Sequence, residues 1–296
     1  MKRSHPRKPV DDAVWFAGGD GDVGLLRARY EHQFFPRHSH EGFVFCVNER
    51  GAHASWYKGA TVVIPERTIT VVPPENVHTG QPVPGVPWHY RAIYPAPDFF
   101  FALARDAGHA NGPTPTFKDL VTPDTTLADA FIRAHQRCEM TTDALEREEL
   151  VSELLRAILR RHASGAGAHR TRVPTPARRG IARSIELIRA RYAESLSLAE
   201  LGAAAGVSRF TVVRGFRRMV GISPHAYVVQ VRVEQAKRLL ASGVSIATVA
   251  SAVGFADQSH LNRHFKRLLG VTPATFARGA AGRRSMPVRS PGVDRQ

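Results

Sequence analysis

The sequence is poor in cysteine and has no long apolar run. Only two of its 296 residues are cysteines, Cys46 and Cys138, so disulfide bonds cannot form the framework of the fold, and this composition is typical of the reducing cytoplasm. The lack of about 18 consecutive apolar residues excludes a membrane-spanning helix, and no apolar core of a signal peptide follows the basic N-terminus. Hydrophobic residues still make up 43% of the chain, enough for two cores, and the length favours two domains.

Acidic residues are scarce in the C-terminal part of the chain. Residues 1–170 hold 20 basic and 20 acidic side chains, whereas residues 171–296 hold 21 basic and only 6 acidic ones. The formal net charge of +15 therefore lies entirely after residue 170. A charge that serves only solubility would be spread over both parts. A basic part beside a neutral one indicates that the basic part binds a polyanion such as DNA.

Residues 197–273 contain a unit that occurs twice. Gly221-Ile222-Ser223-Pro224 returns as Gly270-Val271-Thr272-Pro273, and Arg214-Gly215-Phe216-Arg217-Arg218 returns as Arg263-His264-Phe265-Lys266-Arg267. Two copies are too few for a solenoid, and they suit a duplicated small module.

Each copy has the pattern of a helix-turn-helix. Ser197 and Glu200 form a capping box at a helix start, Gly206 ends that helix as a left-handed cap, and Ser208 caps the next helix. Ser245 caps the first helix of the second copy. A helix, a short turn containing glycine and a second helix make a helix-turn-helix.

A further helix is predicted between the copies, with Ser223 as its cap and Pro224 at its first position. Its length of about 18 residues corresponds to about 27 Å. A spacer near this length could set two recognition helices about one turn of B-DNA, or about 34 Å, apart on one face of the duplex.

Taken in order and with their spacing, these patterns resemble the AraC/XylS family of bacterial transcription regulators. The matching positions are Ser208, Val212, Arg214, Phe216, Gly221, Ser223, Pro224, the run Ala236-Lys237-Arg238-Leu239-Leu240, and Gly254, Phe255, Asp257, Ser259, Leu261, Arg263, Phe265, Lys266 and Arg267. Generic pairs of amphipathic helices would not reproduce so many independent positions over about a hundred residues. The resemblance implies a DNA-binding domain with two helix-turn-helix motifs, at about 197–218 and 245–267.

The side chains opposite the apolar stripe of each second helix are the candidates for reading DNA. They are Arg209, Phe210, Thr211, Val213 and Arg214 in the first copy, and Gln258, Ser259, His260, Asn262 and Arg263 in the second. Arginine can bind guanine with two hydrogen bonds, Gln or Asn can bind adenine, and apolar groups can contact a thymine methyl. Arg217, Arg218, Lys266 and Arg267 are expected to contact phosphate or remain solvated.

The two readers are not expected to contribute equally. Val213 departs from the polar residue often found at the matching position of the family, and Gly215 disfavours its helix by about 1 kcal/mol. We therefore expect the second helix to supply more of the sequence specificity than the first.

The N-terminal part reads as a series of short strands bounded by turn residues. They are predicted at 25–30, 42–47, 52–57, 60–64, 68–72 and 88–93, with 52–57 pairing with 42–47 across a turn at 49–51. Many short strands at this spacing favour a barrel or a double-sheet jelly roll. The predicted fold class is α+β with two domains: a cupin-like β-barrel with helices, followed by an all-α domain.

Two segments of this region, 36–40 and 73–78, resemble the two cupin signatures, and the sensor half of the AraC/XylS family is commonly a cupin barrel. His38, His40 and His78 could supply three imidazoles to one metal ion. Metal-binding cupins also carry a Glu four or five residues after the second His, where this chain has Val44 and Phe45. The interpretation without metal or cofactor, in which these histidines form hydrogen bonds at the mouth of a pocket, is therefore preferred.

A small-molecule pocket inside the barrel is the expected sensor site, since such pockets are apolar with a few placed polar groups. The candidate effector-binding residues are Arg37, His38, His40, Trp56, His78, Trp88, Tyr90 and Arg91. Trp and Tyr could offer stacking faces, and Arg could clamp a carboxylate. Each residue also has an ordinary role in a core or at a solvated edge. An anionic effector is a hypothesis that depends on Arg37 and Arg91.

Two helices follow, beginning near 125 and 143. The apolar face of the second is wide, which is explained either by docking on the barrel or by pairing with a second chain; the family resemblance favours a homodimer. The predicted organisation is a flexible arm over 1–20, an effector and dimerisation domain over 21–162, a linker over 163–176, a DNA-binding domain over 177–280, and a disordered basic tail over 281–296.

These observations predict a transcription regulator that binds double-stranded DNA under the control of a small-molecule effector. One alternative is a metal-dependent cupin enzyme fused to a DNA-binding module, which would need bound metal. Another is an architectural DNA-binding protein without an effector, against which the two cupin-like signatures argue. The effector, the operator, and activation or repression are left open.

Overall fold

The computed structural model describes residues 12–18, 23–109, 115–141, 143–164 and 176–281. As predicted, a β-rich N-terminal domain with helices precedes a helical C-terminal domain. Among the described residues, no helix is long and apolar enough to cross a membrane. Most of the predicted linker and nearly all of the predicted C-terminal tail lie outside the described residues.

The N-terminal domain contains twelve strands in the described ranges. They are β1 (Asp12–Gly18), β2 (Val23–Tyr30), β3 (Phe35–His38), β4 (Val44–Gly51), β5 (His53–Tyr57), β6 (Ala60–Ile64), β7 (Thr68–Val72), β8 (His78–Pro82), β9 (Trp88–Pro95), β10 (Thr116–Phe117), β11 (Val121–Pro123) and β12 (Ala163–Ser164). One sheet has the order β1-β2-β9-β4-β7-β11, a second has the order β3-β8-β5-β6, and β10 pairs with β12. The two larger sheets form the double-sheet architecture that strand spacing predicts.

The predicted hairpin between β4 and β5 is wrong. β4 pairs with β7 and β9, whereas β5 lies in the other sheet beside β6 and β8. The chain crosses between the sheets at Gly51, where φ is +81° and a Cβ atom would lie 1.7 Å from the carbonyl oxygen of Pro87. Glycine is required there because it alone tolerates both the positive φ and the close approach.

The arm predicted over residues 1–20 is also wrong in part. Residues 12–18 form β1, which pairs antiparallel with β2 from Asp12 opposite Arg29 to Gly18 opposite Val23. The run Ala13-Val14-Trp15-Phe16-Ala17 has the β-branched and aromatic content of a strand, and the open edge of β2 supplies its hydrogen-bond partners. Residues 1–11 and 19–22 lie outside the described residues.

Three helices cover the outer face of the larger sheet: α1 (Pro97–Ala104), α2 (Thr125–Met140) and α3 (Ala144–His162). Alternate strand residues such as Phe45 and Ile93 pack against them in one apolar cluster. The apolar face of α3 belongs to this cluster through Val151, Leu154, Leu155, Ile158 and Leu159, all buried. Docking within the chain therefore accounts for the width of that face, which removes the sequence argument for a dimer through α3.

The C-terminal domain contains seven helices in its described residues: α4 (Pro176–Arg191), α5 (Leu198–Ala205), α6 (Arg209–Met219), α7 (Pro224–Ala241), α8 (Ile246–Ala252), α9 (Gln258–Leu269) and α10 (Pro273–Ala280). The capping box of Ser197 with Glu200 is confirmed, and Gly206 has a left-handed φ of 68°. Ser208, Ser223 and Ser245 each accept a backbone hydrogen bond at a helix start. α5 with α6 and α8 with α9 are the two predicted helix-turn-helix units, and α7 joins them.

The second helix-turn-helix shares its core with the barrel interior. One apolar cluster contains Tyr30, Phe35 and Trp88 of the barrel together with Phe265 and Leu269 of α9. The first helix-turn-helix has its own cluster with α4, centred on the buried Ile188, Val212 and Phe216. The two helix-turn-helix units therefore differ in how they are held: the second is packed on the barrel, and the first mainly on α4.

Candidate nucleic-acid interface and effector cavity

The helix predicted to read DNA in the first copy, α6, presents the predicted residues to solvent. Arg209, Phe210 and Arg214 are exposed, and Thr211 and Val213 are partly exposed. Phe210 has 67% of its surface exposed, which is unusual for a large apolar side chain outside an interaction surface. The guanidinium of Arg209 lies 5.0 Å from the centre of the Phe210 ring. A cation next to an aromatic face on a helix-turn-helix suits contact with phosphate and bases.

The helix predicted to read DNA in the second copy, α9, also presents its predicted residues to solvent. Gln258, Ser259 and Arg263 are exposed, His260 and Asn262 are partly exposed, and the carboxylate of Asp257 caps the helix by accepting from the amide of His260. The predicted phosphate contacts, Arg217, Arg218, Lys266 and Arg267, are exposed at the C-terminal halves of the two helices. All fourteen side chains predicted to contact DNA are thus at least partly open to solvent.

Gly215 has a packing role that the sequence alone does not reveal. A Cβ atom at this position would lie 2.5 Å from Cδ1 of Ile181 on α4, so a larger residue would push α6 away from α4. The helix-propensity cost of glycine is therefore linked to close helix packing, which holds the first reader in place.

A cavity of about 60 Å³ lies inside the barrel. Five of the predicted effector-binding residues line it: His38, His40, His78, Trp88 and Tyr90. His53, Ser55, Tyr94, Cys46 and Thr70 also line it and were not predicted. The signal for them was available, since they alternate along β4, β5, β7 and β9 with residues that face outward.

The three remaining predicted effector residues lie elsewhere. The Arg37 guanidinium stacks 3.8 Å from the centre of the Trp56 ring, and neither side chain lines the cavity. Arg91 is buried on the opposite face of β9, where its Nε donates to Glu49 at 2.8 Å and its Nη1 donates to Glu139. These placements contradict the predicted cavity roles of Arg37, Trp56 and Arg91, because strand alternation turns each of them away from the interior. They also remove the basis for an anionic effector held by Arg37 and Arg91.

His38, His40 and His78 converge at one end of the cavity. The ring centres of His38 and His78 are 4.4 Å apart, those of His38 and His40 are 4.9 Å apart, and those of His40 and His78 are 5.2 Å apart. Burial lowers the pKa of His38 to about 4 and that of His78 to about 3. Burial also lowers the pKa of His40 well below its usual value, and the neighbouring His38 and His78 lower it further. All three imidazoles are therefore neutral at pH 7.

The helix α9 forms part of the cavity wall. Leu268 and Leu269, in its last turn, are part of the lining, and Gly270 follows with a left-handed φ of 72°. A Cβ atom at Gly270 would lie 2.0 Å from the hydroxyl oxygen of Tyr30 in the barrel. The matching glycine of the first copy, Gly221, also lies against the barrel: a Cβ atom built at Gly221 would lie 3.2 Å from Cβ of Val77. Both helix-turn-helix units thus meet the barrel at equivalent turns.

Next to this cavity, a larger cleft of about 550 Å³ lies between the domains. Its barrel side includes His40, Glu41 and Tyr94, and its helical side includes Lys237 and Arg238 of α7. The Lys237 ammonium is paired with Glu234 at 2.9 Å, and Arg238 is paired with Glu41 across the cleft. Because His40 lines both spaces, the cleft adjoins the histidine cluster.

Polar contacts also join the histidine-bearing segments to the DNA-binding domain. Ser39 exchanges two hydrogen bonds with Gln230 of α7, and Glu75 pairs with Arg189 of α4. Ser39 and Glu41 alternate with His38 and His40, so one side of this short segment faces the cavity and the other faces α7. The segment that forms this part of the cavity wall is therefore hydrogen-bonded to α7, the helix that joins the two helix-turn-helix units.

The geometry defines a DNA-binding transcription regulator with an N-terminal ligand-binding domain, and comparison with known proteins agrees. Residues 20–158 match the model of the AraC-like ligand binding domain, and residues 201–279 match that of a helix-turn-helix domain. The chain belongs to the AraC-type family of transcriptional regulators, as the motifs predict.

Two curated relatives illustrate the similarity. An uncharacterized HTH-type transcriptional regulator, YbfI of Bacillus subtilis, is 28% identical over 229 residues, which cover 77% of this chain and 82% of YbfI. The HTH-type transcriptional regulator RipA of Corynebacterium glutamicum is 40% identical over 114 residues, which cover 38% of this chain but only 34% of RipA.

Solved structures share the two-domain fold. ToxT from Vibrio cholerae O395 has a TM-score of 0.51 and 12% identity, with 92% of this chain and 98% of ToxT covered. ToxT from Vibrio cholerae bound to an unsaturated fatty acid has a TM-score of 0.51 and 11% identity, with 96% and 100% covered. At sequence identities of 11–12%, these similarities show a shared fold and nothing about the ligand of this chain.

Proposed function

We propose that this regulator controls DNA binding through a small molecule that occupies the cleft between the barrel and α7. In this proposal residues 21–162 form the effector domain and residues 177–280 form the DNA-binding domain. The observation that carries it is the position of α7: Lys237 and Arg238 of this helix line the cleft, and the same helix joins the two helix-turn-helix units. A ligand that changes how α7 sits on the barrel also changes how α6 and α9 are presented to DNA.

The cleft suits an effector better than the much smaller barrel cavity does. Small-molecule sites commonly measure about 300–1,000 Å³, and the cleft has about 550 Å³ whereas the cavity has about 60 Å³. Apolar side chains such as Phe43 and Phe276 share the cleft with the cations Lys237 and Arg238. This combination favours a molecule with a carboxylate and an apolar body, and the fatty-acid complex of ToxT is a precedent in a protein of the same fold.

The coupling follows from contacts that link the effector side to both readers. An incoming carboxylate would compete with Glu41 for Arg238 and with Glu234 for Lys237. Both cations belong to α7, which lies between the two helix-turn-helix units. Control of DNA binding then requires only that the ligand bind one arrangement of α7 and α9 more tightly than the other.

The residues that would read DNA are those on the open faces of α6 and α9. Arg209, Arg214 and Arg263 are proposed for guanine or phosphate, and Gln258 and Asn262 for adenine. Phe210, Thr211, Val213, Ser259 and His260 complete the two surfaces, and Arg217, Arg218, Lys266 and Arg267 are proposed for phosphate. The relatives are regulators, and no reaction is proposed for the chain.

A homodimer is the remaining part of the proposal. The exposed apolar side chains at the α2–α3 turn, Met140 with 73% and Leu145 with 65% of their surfaces exposed, form the surface on which it would depend. Sedimentation of the full chain and of Leu145→Glu tests this: a dimer that Leu145→Glu dissociates supports it, and a monomer at micromolar concentration contradicts it.

The effector proposal is tested with the full chain and a DNA fragment obtained by selection from a random pool. Oleate and its methyl ester are added separately, and DNA affinity is measured by fluorescence anisotropy. We expect oleate, and not the ester, to change the affinity at least fivefold. The double variant Lys237→Gln with Arg238→Gln should lose this response. The control pair Arg105→Gln with Lys118→Gln removes two exposed charges outside the cleft and should keep it. A response to neutral compounds alone, or one that survives in the cleft variant, contradicts the proposal.

A further inference from the structure

We propose that His38, His40 and His78 bind a divalent transition-metal ion at the inner end of the barrel cavity. One ring nitrogen from each residue lies within 4.8 Å of those of the other two, and in the part of the chain that the structure describes no other group of three His, Cys, Asp or Glu side chains meets this criterion. The fold creates the cluster: His38 and His78 are cross-strand partners in β3 and β8, and His40 follows His38 by two residues on the same side.

Hydrogen bonds orient two of the rings for this role. Nδ1 of His38 lies 2.7 Å from the carbonyl oxygen of Pro36, and Nδ1 of His78 lies 3.1 Å from that of Asn76. A carbonyl oxygen only accepts, so each Nδ1 carries the proton and donates. The lone pair of a neutral ring is then on Nε2. Metal-ligating histidines commonly donate their second nitrogen to a backbone carbonyl, which fixes the tautomer and the ring direction.

The distances require only a small adjustment on binding. Tetrahedral zinc has Zn–N distances of about 2.0–2.1 Å, which places its ligand nitrogens about 3.3 Å from one another. The present limit of 4.8 Å is wider, so the rings would move inward by roughly 1 Å, a change that side-chain rotation supplies. A cavity of about 60 Å³ has room for an ion with one or two water molecules.

The chemistry of the cluster selects the ion. Three neutral imidazoles suit Zn²⁺, Co²⁺, Ni²⁺, Cu²⁺ or Fe²⁺ rather than Mg²⁺ or Ca²⁺, which prefer oxygen ligands. Val44 and Phe45 lie four and five positions after His40 and are apolar and buried. Neither can supply the carboxylate ligand that metal-binding cupins carry at these positions. An ion held by three neutral ligands keeps its double charge and at least one open coordination position. His40 lines both the cavity and the interdomain cleft, so the cluster adjoins the cleft.

The barrel site has to be distinguished from a pair of adjacent histidines on α9. On α9, Nε2 of His260 lies 3.0 Å from Nε2 of His264, so this pair could hold a metal ion from solution with two ligands. An experiment on the barrel site has to separate the two. His53 lines the same cavity and is not a member of the cluster, which makes it the matched control inside the barrel.

The test uses the full chain without an affinity tag, stripped with chelator and titrated with Co²⁺ and Zn²⁺. Binding is followed by the visible absorption of Co²⁺ and by elemental analysis after dialysis. We expect one tightly held ion per chain with a spectrum of imidazole ligation. His40→Gln and His78→Gln should each weaken binding at least tenfold, whereas His53→Gln and His264→Gln should retain it.

Thermal melting in chelator checks that each variant folds. Should one ligand variant unfold, the other ligand variant and the wild-type Co²⁺ spectrum still decide the outcome. The proposal is overturned if folded wild-type protein gives no imidazole-ligated Co²⁺ spectrum, if His40→Gln and His78→Gln bind as the wild type does, or if His264→Gln alone abolishes binding. Metal binding is measured without oleate, and the oleate response is tested with variants of Lys237 and Arg238 that keep all three histidines, so the failure of one proposal is distinguishable from the failure of the other.

Discussion

Ser39 and Gln230 exchange two hydrogen bonds across the boundary between the domains. The Ser39 amide donates to Oε1 of Gln230 at 2.9 Å, and Nε2 of Gln230 donates to Oγ of Ser39 at 2.8 Å. Ser39 lies between two histidines of the cavity, and Gln230 lies in the middle of the helix that joins the two readers. The pair therefore connects the histidine-bearing segment of the barrel directly to the helical domain.

Removing this connection should loosen the domains without unfolding either. Gln230→Ala leaves the largely buried Ser39 amide without its partner, and we expect a loss of about 1–3 kcal/mol in unfolding free energy. Hydrogen exchange at the Ser39 amide should become faster. Gln235→Ala, on the same helix, is the control because Gln235 accepts a hydrogen bond from Arg238 within α7. Equal exchange rates in both variants would contradict the role given to Gln230.

The turn after α9 should be sensitive to a single methyl group. Gly270→Ala places a Cβ 2.0 Å from Tyr30 Oη and 2.9 Å from Phe35 Cζ, besides adopting a positive φ. Gly243→Ala is the matched control, with φ of +85° and nothing within 4 Å. We expect Gly243→Ala to cost about 1–2 kcal/mol for the backbone alone, and Gly270→Ala to cost several kcal/mol more. Thermal unfolding of both variants tests this, and equal melting temperatures would show that α9 is not held against the barrel at this point.

Two cations on α9 should have different effects on DNA binding. Arg263→Ala is expected to relax preference at one base position at a cost of about 1–3 kcal/mol, whereas Lys266→Ala should weaken all sequences and reduce the salt slope by about 1. Arg50→Ala, an exposed charge on the barrel, controls for net charge. Affinities for specific and random DNA at several salt concentrations distinguish the effects. Equal losses on both kinds of DNA for Arg263→Ala and Lys266→Ala would remove the assignment.

Arg91 should be important for stability rather than for ligand binding. Arg91→Ala would remove the buried cation that pairs with Glu139 and contacts the fully buried His135. Glu139 would keep only the half-exposed Arg27, at 3.5 Å, as a cationic partner, and breaking such a network costs about 3–5 kcal/mol. Arg37→Ala removes a partly exposed stack on Trp56 and should cost about 0.5–1 kcal/mol. Denaturant unfolding of the two variants measures the difference. A small loss for Arg91→Ala accompanied by a changed effector response would favour the original prediction of a ligand clamp.

Acid should destabilise the barrel through His53. Burial lowers the pKa of His53 from 6.5 to about 3, and its Nδ1 is 3.0 Å from Asn48 Oδ1. The unfolded chain binds a proton below pH 6.5 that the folded chain does not, so this contribution is complete above pH 6.5 and declines as the pH falls towards 3. The decline is about 1.4 kcal/mol per pH unit from this residue. In His53→Gln, unfolding measured between pH 7 and 4 should show a shallower pH dependence; an unchanged slope would contradict this.

Local patterns predicted the helical domain well. The caps at Ser197, Ser208, Ser223 and Ser245 and the turn at Gly206 were readable because each satisfies backbone groups within a few residues of itself. The exposed faces of α6 and α9 followed from helical periodicity. In the barrel, the resemblance of residues 36–40 and 73–78 to the cupin signatures predicted that His38, His40 and His78 lie together, and all three line one cavity.

Contacts between distant segments were not predictable in this way. The hairpin expected between β4 and β5 failed because sequence neighbours need not pair when a glycine lets the chain change sheets, and Arg91 was misplaced because its partners come from α2 and from β4. Nothing near residues 268–270 in the sequence indicates that Leu268 and Leu269 line a cavity whose other lining residues lie between Phe35 and Leu120.

The sequence by itself determined the two domains, the duplicated helix-turn-helix, the basic reading faces and the histidines of the barrel, since all of these depend on residue chemistry and local spacing. Only the tertiary structure decided that the second reading helix is packed on the barrel, that the cations of α7 line the interdomain cleft, and which predicted ligands face the cavity. The physical reason is that packing between domains depends on the shapes of two complete surfaces, which no local pattern encodes.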